Sequence, residues 1–224
     1  MGYAYRAIVW DLDGTLLDTL DDLTGATNYA LAQHALAPRT REEVRRFVGN
    51  GIRKLIERAV PPGTAADVRE AVYGTFCAYY GAHCNDATNP YPGVMQLLAE
   101  LHGAGMPMAI VSNKADFAVR ELAAAYFGGL IPVAAGARDG LRTKPAPDLV
   151  FAALRKMGVS PEEAVYIGDS EVDVRTAANA GMDCISVCWG FRDIPTLRAA
   201  GAGIICADTD ALRRALEGAA GEAL

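Results

Sequence analysis

Short apolar runs separated by helical patterns recur along most of the chain. The first run, Ala7 to Trp10, has four consecutive apolar residues and indicates a buried strand. Further strands are predicted at Met108–Val111, Ile131–Ala134, Val165–Ile167, Cys184–Val187 and Ile204–Cys206. Helices are predicted between them, at Val94–Gly103, Ala115–Ala125, Pro147–Met157, Val172–Ala180 and Asp210–Leu216. Because strands and helices alternate, we expect a doubly wound parallel α/β sheet with a Rossmann-like core.

The region between the first strand and Pro90 has a different pattern. Residues 16–87 contain only helical patterns, separated by turn-forming glycines and prolines. The predicted helices are Asp21–Ala35, Arg41–Val48, Ile52–Val60 and a fourth from about Ala65 to His83. This change of pattern predicts that an α-helical cap subdomain, residues 16–87, is inserted into an α/β core made of residues 1–15 and 88–224.

Composition and charge narrow the class of protein. The 224 residues, 51% hydrophobic and 21% charged, are ordinary for a soluble globular chain. A net charge of −6 leaves no chain-wide basic field to hold nucleic acid or an anionic membrane surface. No apolar run approaches the ~18 residues of a membrane span, and the start lacks a signal-peptide pattern. We therefore expect a cytoplasmic protein with no nucleic-acid or membrane partner.

Two aspartates follow the first strand directly, in the string Asp11-Leu12-Asp13-Gly14-Thr15. In open α/β sheets this end of a strand is where ligands bind, and neighbouring carboxylates there can hold different protonation states. Asp11 is expected to be a nucleophile or metal ligand and Asp13 an acid and base. Gly14 would let the loop N–H groups face an anion. Two acids alone would be better explained as a turn with solvated carboxylates. The complete five-residue string after a buried strand favours a functional site instead.

Polar residues also stand at later strand ends and helix starts. Ser112 and Asn113 end the second core strand and suit a phosphate, although helix capping explains them better in isolation. Lys144, just before a helix, could neutralise a carboxylate and a phosphoryl group, although a loop lysine is usually solvated. Asp169 follows another strand and offers the oxygen ligand that Mg²⁺ prefers, with capping as the alternative. Asp173 lies one helical turn further on and could orient waters, Lys144 or Ser112.

As a set, these positions resemble the signatures of the haloacid dehalogenase superfamily. The four matching positions are Asp11 to Thr15, Ser112, Lys144 and Gly168 to Asp173. Two further strings, Phe47 to Gly51 and Pro90 to Val94, resemble the phosphoglycolate phosphatase-like branch, which has a small helical cap. The match spans most of the chain.

The resemblance implies a role for each matching residue. Asp11 would attack phosphorus and Asp13 would move protons to the leaving alcohol and from water. Mg²⁺ would be held by Asp11, by the backbone carbonyl of Asp13 and by Asp169. Charge on the phosphoryl oxygens would be stabilised by Lys144, Ser112 and Asn113, with Asp173, Gly14 and Thr15 in supporting positions.

We therefore expect a Mg²⁺-dependent phosphatase for a small phosphorylated metabolite, with an aspartyl-phosphate intermediate and 2-phosphoglycolate as the first candidate. Arg53, after the glycines of the cap, could meet a second anionic group of the substrate, although a solvated helix face is its more common role. Two alternatives stay open: a β-phosphoglucomutase-like phosphosugar mutase, which keeps the phosphoryl group, and a non-catalytic binding module. The sequence does not indicate an oligomeric state.

Overall fold

The computed structural model describes residues 3–218. The chain divides into two compact units, which we call the core unit and the helical unit. The core unit contains the residues up to Leu17 and those from Pro90 onward, and the helical unit is Asp18–Asn89. The predicted limits of the insertion, residues 16 and 87, each lie two residues before these divisions.

The core unit is built on a six-stranded parallel sheet. The strands of the chain are β1 (Ala7–Trp10), β2 (Leu17–Asp18), β3 (Asn89–Pro90), β4 (Met108–Ala115), β5 (Val133–Ala137), β6 (Ala164–Gly168), β7 (Asp183–Val187) and β8 (Ile204–Cys206). The order in the large sheet is β5-β4-β1-β6-β7-β8, and every neighbouring pair is parallel. The predicted doubly wound α/β fold is therefore confirmed.

Helices cover both faces of this sheet. The core-unit helices are α5 (Val94–Gly103), α6 (Asp116–Phe127), α7 (Asp148–Met157), α8 (Glu171–Ala180), α9 (Ile194–Ala199) and α10 (Thr209–Leu216). Alternate residues of β1 show the two-sided packing: Ile8 and Trp10 join the apolar cluster under α5, α6 and α10, and Ala7 and Val9 join the one under α7 and α8. Full burial of an apolar side chain such as Ile8 contributes about 1.5–3 kcal/mol, so this packing stabilises the position of β1.

The helical unit contains α1 (Leu20–Gln33), α2 (Arg41–Phe47), α3 (Ile52–Ala59) and α4 (Ala66–His83). Helix α2 begins at a capping box in which Thr40 and Glu43 satisfy each other's backbone N–H groups. The end of the unit is tied back to α1 by Asp22, whose carboxylate accepts hydrogen bonds from the backbone N–H groups of Ala87 and Thr88, both at 2.9 Å. Buried apolar residues of α1 and α4 form much of its interior.

The structure corrects three details of the predicted elements. Strand β4 runs to Ala115 and not to Val111, so Ser112 and Asn113 lie within the strand and the next helix begins at Asp116. Strand β5 begins at Val133 and not at Ile131, because Pro132 lacks the N–H group that a strand needs. Helix α9 was not predicted, although Asp193 caps it by accepting from the N–H of Thr196 at 2.9 Å. Among the described helices, none combines the length and the apolar character that crossing a membrane requires.

Candidate functional site

The candidate site lies at the carboxyl ends of the three central strands of the core unit. Strand β1 delivers Asp11, whose backbone N–H donates to the carbonyl of Ile167 in β6 at 2.8 Å. Strand β4, on the other side of β1, carries Ser112, and β6 ends directly before Asp169. Because neighbouring parallel strands end at one edge of a sheet, residues far apart in sequence meet here.

Lys144 is buried at the centre of this edge and joins two carboxylates. Its Nζ lies 2.7 Å from Oδ1 of Asp11 and 2.7 Å from Oδ1 of Asp173, and it donates to the hydroxyl of Tyr166 at 3.0 Å. The Lys144 side chain is only 2% exposed. Burial alone would lower the pKa of Lys144, but Asp11 and Asp173 outweigh it and raise that pKa well above its usual value. Lys144 therefore remains a cation in the site.

Asp169 is fixed by hydrogen bonds to both of its carboxylate oxygens. The Thr15 hydroxyl donates to Oδ1 at 3.1 Å, and the backbone N–H of Phe191 donates to Oδ2 at 2.6 Å. The partner residues come from the loop after β1 and from the loop after β7. Asp169 is thus held in one orientation by two separate segments of the chain.

Two glycines make room for Asp169. A Cβ at Gly14, where φ is +88°, would lie 2.4 Å from Oδ2 of Asp169. A Cβ at Gly190 would lie 2.4 Å from the same oxygen and 2.2 Å from the carbonyl oxygen of Gly14. Since Cβ atoms essentially never approach other atoms so closely, only glycine fits at either position.

Asp173 is occupied by contacts within the protein. Its Oδ1 accepts from Lys144, and its Oδ2 accepts from the Ser170 hydroxyl at 2.6 Å and the Ser170 N–H at 3.1 Å. Asp173 is completely buried at the start of α8. Asp173 therefore lies against Lys144, and its role in orienting that lysine stays a prediction.

The carboxylates of the site form a group that could hold a metal ion. Asp11, Asp169 and Asp173 are all buried, and each offers an oxygen within 4.8 Å of the others. Burial, Asp173 and Asp169 raise the pKa of Asp11 well above its usual value, despite the opposing effect of Lys144. Burial and Asp173 likewise raise the pKa of Asp169 to about 7. The ionised forms of Asp11 and Asp169 are thus disfavoured in this buried group, and a divalent ion with oxygen ligands would stabilise them.

The end of β4 contributes a second set of polar groups. The Ser112 hydroxyl is buried and accepts from the backbone N–H of Lys114 at 3.2 Å, and the Asn113 side-chain amide donates to the carbonyl of Lys144 at 3.1 Å. The Lys114 ammonium lies 2.8 Å from Oδ1 of Asp13. The structure therefore brings Ser112, Asn113 and Asp13 to the same edge as Asp11.

Arg53, the remaining predicted contact with the substrate, lies on α3 of the helical unit. Its guanidinium donates to both carboxylate oxygens of Glu70, at 2.6 and 3.2 Å, and stacks over the ring of Tyr73 at 4.0 Å. The Arg53 side chain is 67% exposed. A contact between Arg53 and a substrate stays a prediction.

Four contributions to the site were not predicted. Gly190, which makes room for Asp169, is one of 23 glycines in the chain and has no distinguishing sequence signal. Lys114 was not ranked above other lysines, although the alternation of side chains along a strand puts residues 112 and 114 on one face. Phe191 acts through its backbone N–H, which leaves no side-chain signal in a sequence. Tyr166 has the hydroxyl that contacts Lys144, yet in the sequence it is one more residue of an apolar strand.

Comparisons with known proteins agree with this geometry. A family model described as haloacid dehalogenase-like hydrolase matches residues 8–187. A phosphoglycolate phosphatase from Caulobacter vibrioides is 36% identical over 192 residues, which cover 84% of this chain and 81% of that protein. Phosphoglycolate phosphatase 1 from Pseudomonas aeruginosa is 34% identical over 197 residues, covering 84% and 71%.

A solved structure resembles the whole fold. The crystal structure of a predicted phosphoglycolate phosphatase from Lactobacillus delbrueckii subsp. bulgaricus has a TM-score of 0.92 and 35% identity to this chain, covering 96% of this chain and 99% of that one. The predicted resemblance to the phosphoglycolate phosphatase-like branch is therefore confirmed. From the match over residues 8–187 and these relatives, the chain belongs to the haloacid dehalogenase-like hydrolases.

Proposed function

We propose that the protein is a Mg²⁺-dependent phosphatase that hydrolyses a small phosphate monoester through an aspartyl-phosphate on Asp11. The observation that carries this proposal is the placement of Asp11 between a buried lysine and a second carboxylate. Lys144 lies 2.7 Å from Asp11, and Asp11 and Asp169 offer oxygens within 4.8 Å of each other. A phosphoryl group bound here would meet a nucleophile and positive charge together.

In the first step, a carboxylate oxygen of Asp11 attacks phosphorus in line with the leaving oxygen. The bond between phosphorus and the leaving oxygen breaks, and its electron pair stays on that oxygen, which takes the proton of Asp13. Lys144, Ser112 and Asn113 stabilise charge on the other phosphoryl oxygens. The products of this step are a free alcohol and the phosphorylated Asp11.

In the second step, water completes the hydrolysis. The Asp13 carboxylate, ionised by the first step, takes a proton from a water molecule that attacks phosphorus. The acyl phosphate bond breaks and returns the carboxylate of Asp11, with inorganic phosphate as product. One residue thus serves as acid and then as base, so Asp13 regains its proton in each cycle.

Asp11, Asp169 and the backbone carbonyl of Asp13 are the proposed ligands of Mg²⁺. The buried oxygens of Asp11 and Asp169 suit this hard ion. Asp169 accepts from the neutral Thr15 hydroxyl and Phe191 N–H, whereas Asp173 pairs with the Lys144 cation and with Ser170. When bound, the ion supplies positive charge to the attacking carboxylate and to the phosphoryl oxygens.

The proposed substrate is 2-phosphoglycolate or a similar phosphorylated acid. The names of the Caulobacter vibrioides and Pseudomonas aeruginosa relatives support this choice. Arg53 is the proposed contact for the substrate carboxylate. To reach it, the guanidinium must exchange its pairing with Glu70, an exposed ion pair of the kind that contributes at most about 1 kcal/mol.

The test is a screen of phosphate release from phosphorylated metabolites with Mg²⁺. We expect 2-phosphoglycolate to be hydrolysed with the highest kcat/KM, sugar phosphates to be weaker, and β-glucose 1-phosphate not to be isomerised. Efficient conversion of β-glucose 1-phosphate to glucose 6-phosphate would establish the mutase alternative instead. If no substrate, including p-nitrophenyl phosphate, released phosphate, the non-catalytic binding module would be the remaining interpretation.

A further inference from the structure

Lys114 is a second buried lysine at the candidate site, and the proposed chemistry has not used it. Its side chain is 4% exposed, and its Nζ lies 2.8 Å from Oδ1 of Asp13, which is 14% exposed. Burying an ammonium group is costly unless the charge is paired and hydrogen-bonded. The pair between Lys114 and Asp13 therefore differs from the exposed ion pairs of the molecular surface.

The two buried lysines serve different aspartates. Lys144 contacts Asp11 and Asp173, whereas Lys114 contacts Asp13. Lys114 reaches Asp13 from β4, and its backbone N–H also donates to the hydroxyl of Ser112 at 3.2 Å. A single residue of β4 is thus bonded to a proposed phosphate contact and to the proposed acid and base.

We propose that Lys114 is a positioning residue that sets the orientation of the Asp13 carboxyl group for proton transfer. This inference rests on the proposed function and adds a residue to it. An ammonium group has only donors, so Oδ1 of Asp13 must accept from Lys114. In the protonated acid, the proton must then sit on Oδ2. Lys114 therefore determines which oxygen gives its proton to the leaving alcohol and later receives one from water.

The position of an acid matters most when the leaving group is poor. An alkoxide such as that of 2-phosphoglycolate must be protonated as it departs, whereas p-nitrophenolate departs without an acid. The value of kcat/KM includes only steps up to leaving-group departure, so it isolates the first proton transfer from the later attack of water. Misplacement of Asp13 should therefore lower kcat/KM in proportion to the basicity of the leaving group.

The experiment compares Lys114→Met with the wild type over a series of aryl and alkyl phosphates. Since positioned acids contribute about 10²–10⁴-fold, we expect a loss of roughly 10- to 100-fold for 2-phosphoglycolate and less than about threefold for p-nitrophenyl phosphate. The inhibition constant of inorganic phosphate should not change. Lys156→Met, at an exposed lysine of α7, is the matched control and should behave as the wild type.

Equal losses across the series would overturn the proposal. A weaker inhibition by inorganic phosphate, in step with the loss of kcat/KM, would also overturn it, because Lys114 would then contact the phosphoryl group directly. In an Asp13→Asn background, Lys114→Met should add no further dependence on the leaving group, and an additive effect would contradict the assignment.

Two further variants, Lys114→Arg and Asp11→Asn, separate a folding defect and a failure of the proposed phosphatase function from the role of Lys114. If circular dichroism shows that Lys114→Met does not fold, Lys114→Arg retains the charge with a different reach and should still lose more activity towards 2-phosphoglycolate than towards p-nitrophenyl phosphate. Equal losses in Lys114→Arg would then count against the proposal. Asp11→Asn tests the underlying function separately, because activity in that variant would refute the phosphatase mechanism whatever Lys114 does.

Discussion

Asp11 owes its proposed reactivity to neighbours that the fold holds in place. Its backbone is bonded to β6, and its carboxylate lies against the Lys144 ammonium, which Asp173 and Tyr166 hold in turn. Arrangements that need no reorganisation during the reaction are effective in stabilising developing charge. A substitution of Asp11 that preserves its shape should therefore affect turnover far more than stability.

Asp11→Asn is expected to abolish turnover and to leave the fold intact. An amide is nearly the same shape as a carboxylate, but it is a poor nucleophile. Turnover of p-nitrophenyl phosphate and the far-ultraviolet circular dichroism spectrum are the two measurements. Appreciable turnover in a preparation free of the wild type would remove Asp11 from its role.

The pairing of Arg53 with Glu70 leads to opposite expectations for the two residues. Arg53→Ala should raise KM for 2-phosphoglycolate, because a charged hydrogen bond to the substrate carboxylate is lost; about 1.5 kcal/mol corresponds to roughly tenfold. Glu70→Gln should lower the same KM, since it releases the guanidinium. KM for p-nitrophenyl phosphate, which has no carboxylate, is the internal reference. Equal changes for both substrates would eliminate Arg53 as a contact for the carboxylate.

The chemical type of each site residue and its place along the chain could be predicted from the sequence, but the residue that it pairs with could not. The acids after β1 and β6 and the Ser112 hydroxyl were predicted from their places at the ends of apolar runs, although Ser112 lies within β4. The pairing of Lys114 with Asp13 depends on which lysine of several is buried. Spacing along the chain carries no information about that, because the two residues are 101 positions apart.

The loop after β7 illustrates how a segment without catalytic side chains can support a site. Gly190→Ala would place a methyl group against Asp169 and the Gly14 carbonyl, so the loop must move and the Phe191 bond to Asp169 must weaken. Loss of such a supporting contact typically costs about 10–100-fold in metal affinity or activity. For Gly190→Ala we therefore expect the Mg²⁺ concentration that gives half-maximal activity to rise by about 10–100-fold.

Gly203→Ala is the control for this substitution, since a Cβ at Gly203 meets no atom within 4 Å. Its activation by Mg²⁺ should match the wild type. A Gly190→Ala variant with an unchanged Mg²⁺ requirement would show that the loop does not support Asp169.

The turn before β6 is expected to be sensitive to acid. Glu163 accepts from the backbone N–H and hydroxyl of Ser160 and pairs with Arg6, and these contacts lower the pKa of Glu163 from 4.5 to about 2. A lowered pKa stabilises the fold above about pH 4.5, and this contribution is lost as the pH falls through about 2. Glu163→Gln should therefore lower the melting temperature at pH 7, with a smaller difference at pH 2.5.

Thermal unfolding followed by circular dichroism measures both differences. Glu162→Gln changes the neighbouring exposed carboxylate and should have little effect at either pH. A difference for Glu163→Gln that is absent at pH 7, or as large at pH 2.5, would contradict the assignment.

Helices and strands with a clear apolar pattern were predicted close to their observed limits. Where a proline or a close backbone contact sets the limit, the predicted end of the element was wrong by a few residues. The ten-residue helix α5 and the buried strand β1 follow directly from their apolar patterns. The start of β5 depends on Pro132, and the end of β4 approaches Gly136, where a Cβ would lie 2.5 Å from the Lys114 carbonyl oxygen. A pattern of hydrophobic residues carries no information about such close backbone contacts.

Metal binding at the site should increase the stability of the whole folded chain. Its carboxylates come from the loops after β1 and β6, so an ion bound between them is a link that exists only in the folded chain. Mg²⁺ at 100 times its Kd would add about 2.7 kcal/mol, or roughly 5–10 °C in melting temperature for a chain of this size. EDTA should remove both this increase and the activity.

Asp169→Asn should lose most of the thermal shift, and Ca²⁺ should replace Mg²⁺ poorly because it favours more ligands at longer distances. Full activity after exhaustive dialysis against EDTA would contradict the metal assignment. A shift that persists in Asp169→Asn would locate the ion elsewhere.

The central position of β1 has a consequence for synthesis on the ribosome. This strand is made first, but its sheet partners β4 and β6 begin at Met108 and Ala164. At a synthesis rate of about 5–20 residues per second, roughly 10–30 s pass between synthesis of β1 and synthesis of β6. Asp18–Asn89 has its own interior and is complete long before then, so the helical unit can fold while the strand that carries the nucleophile still lacks its neighbours.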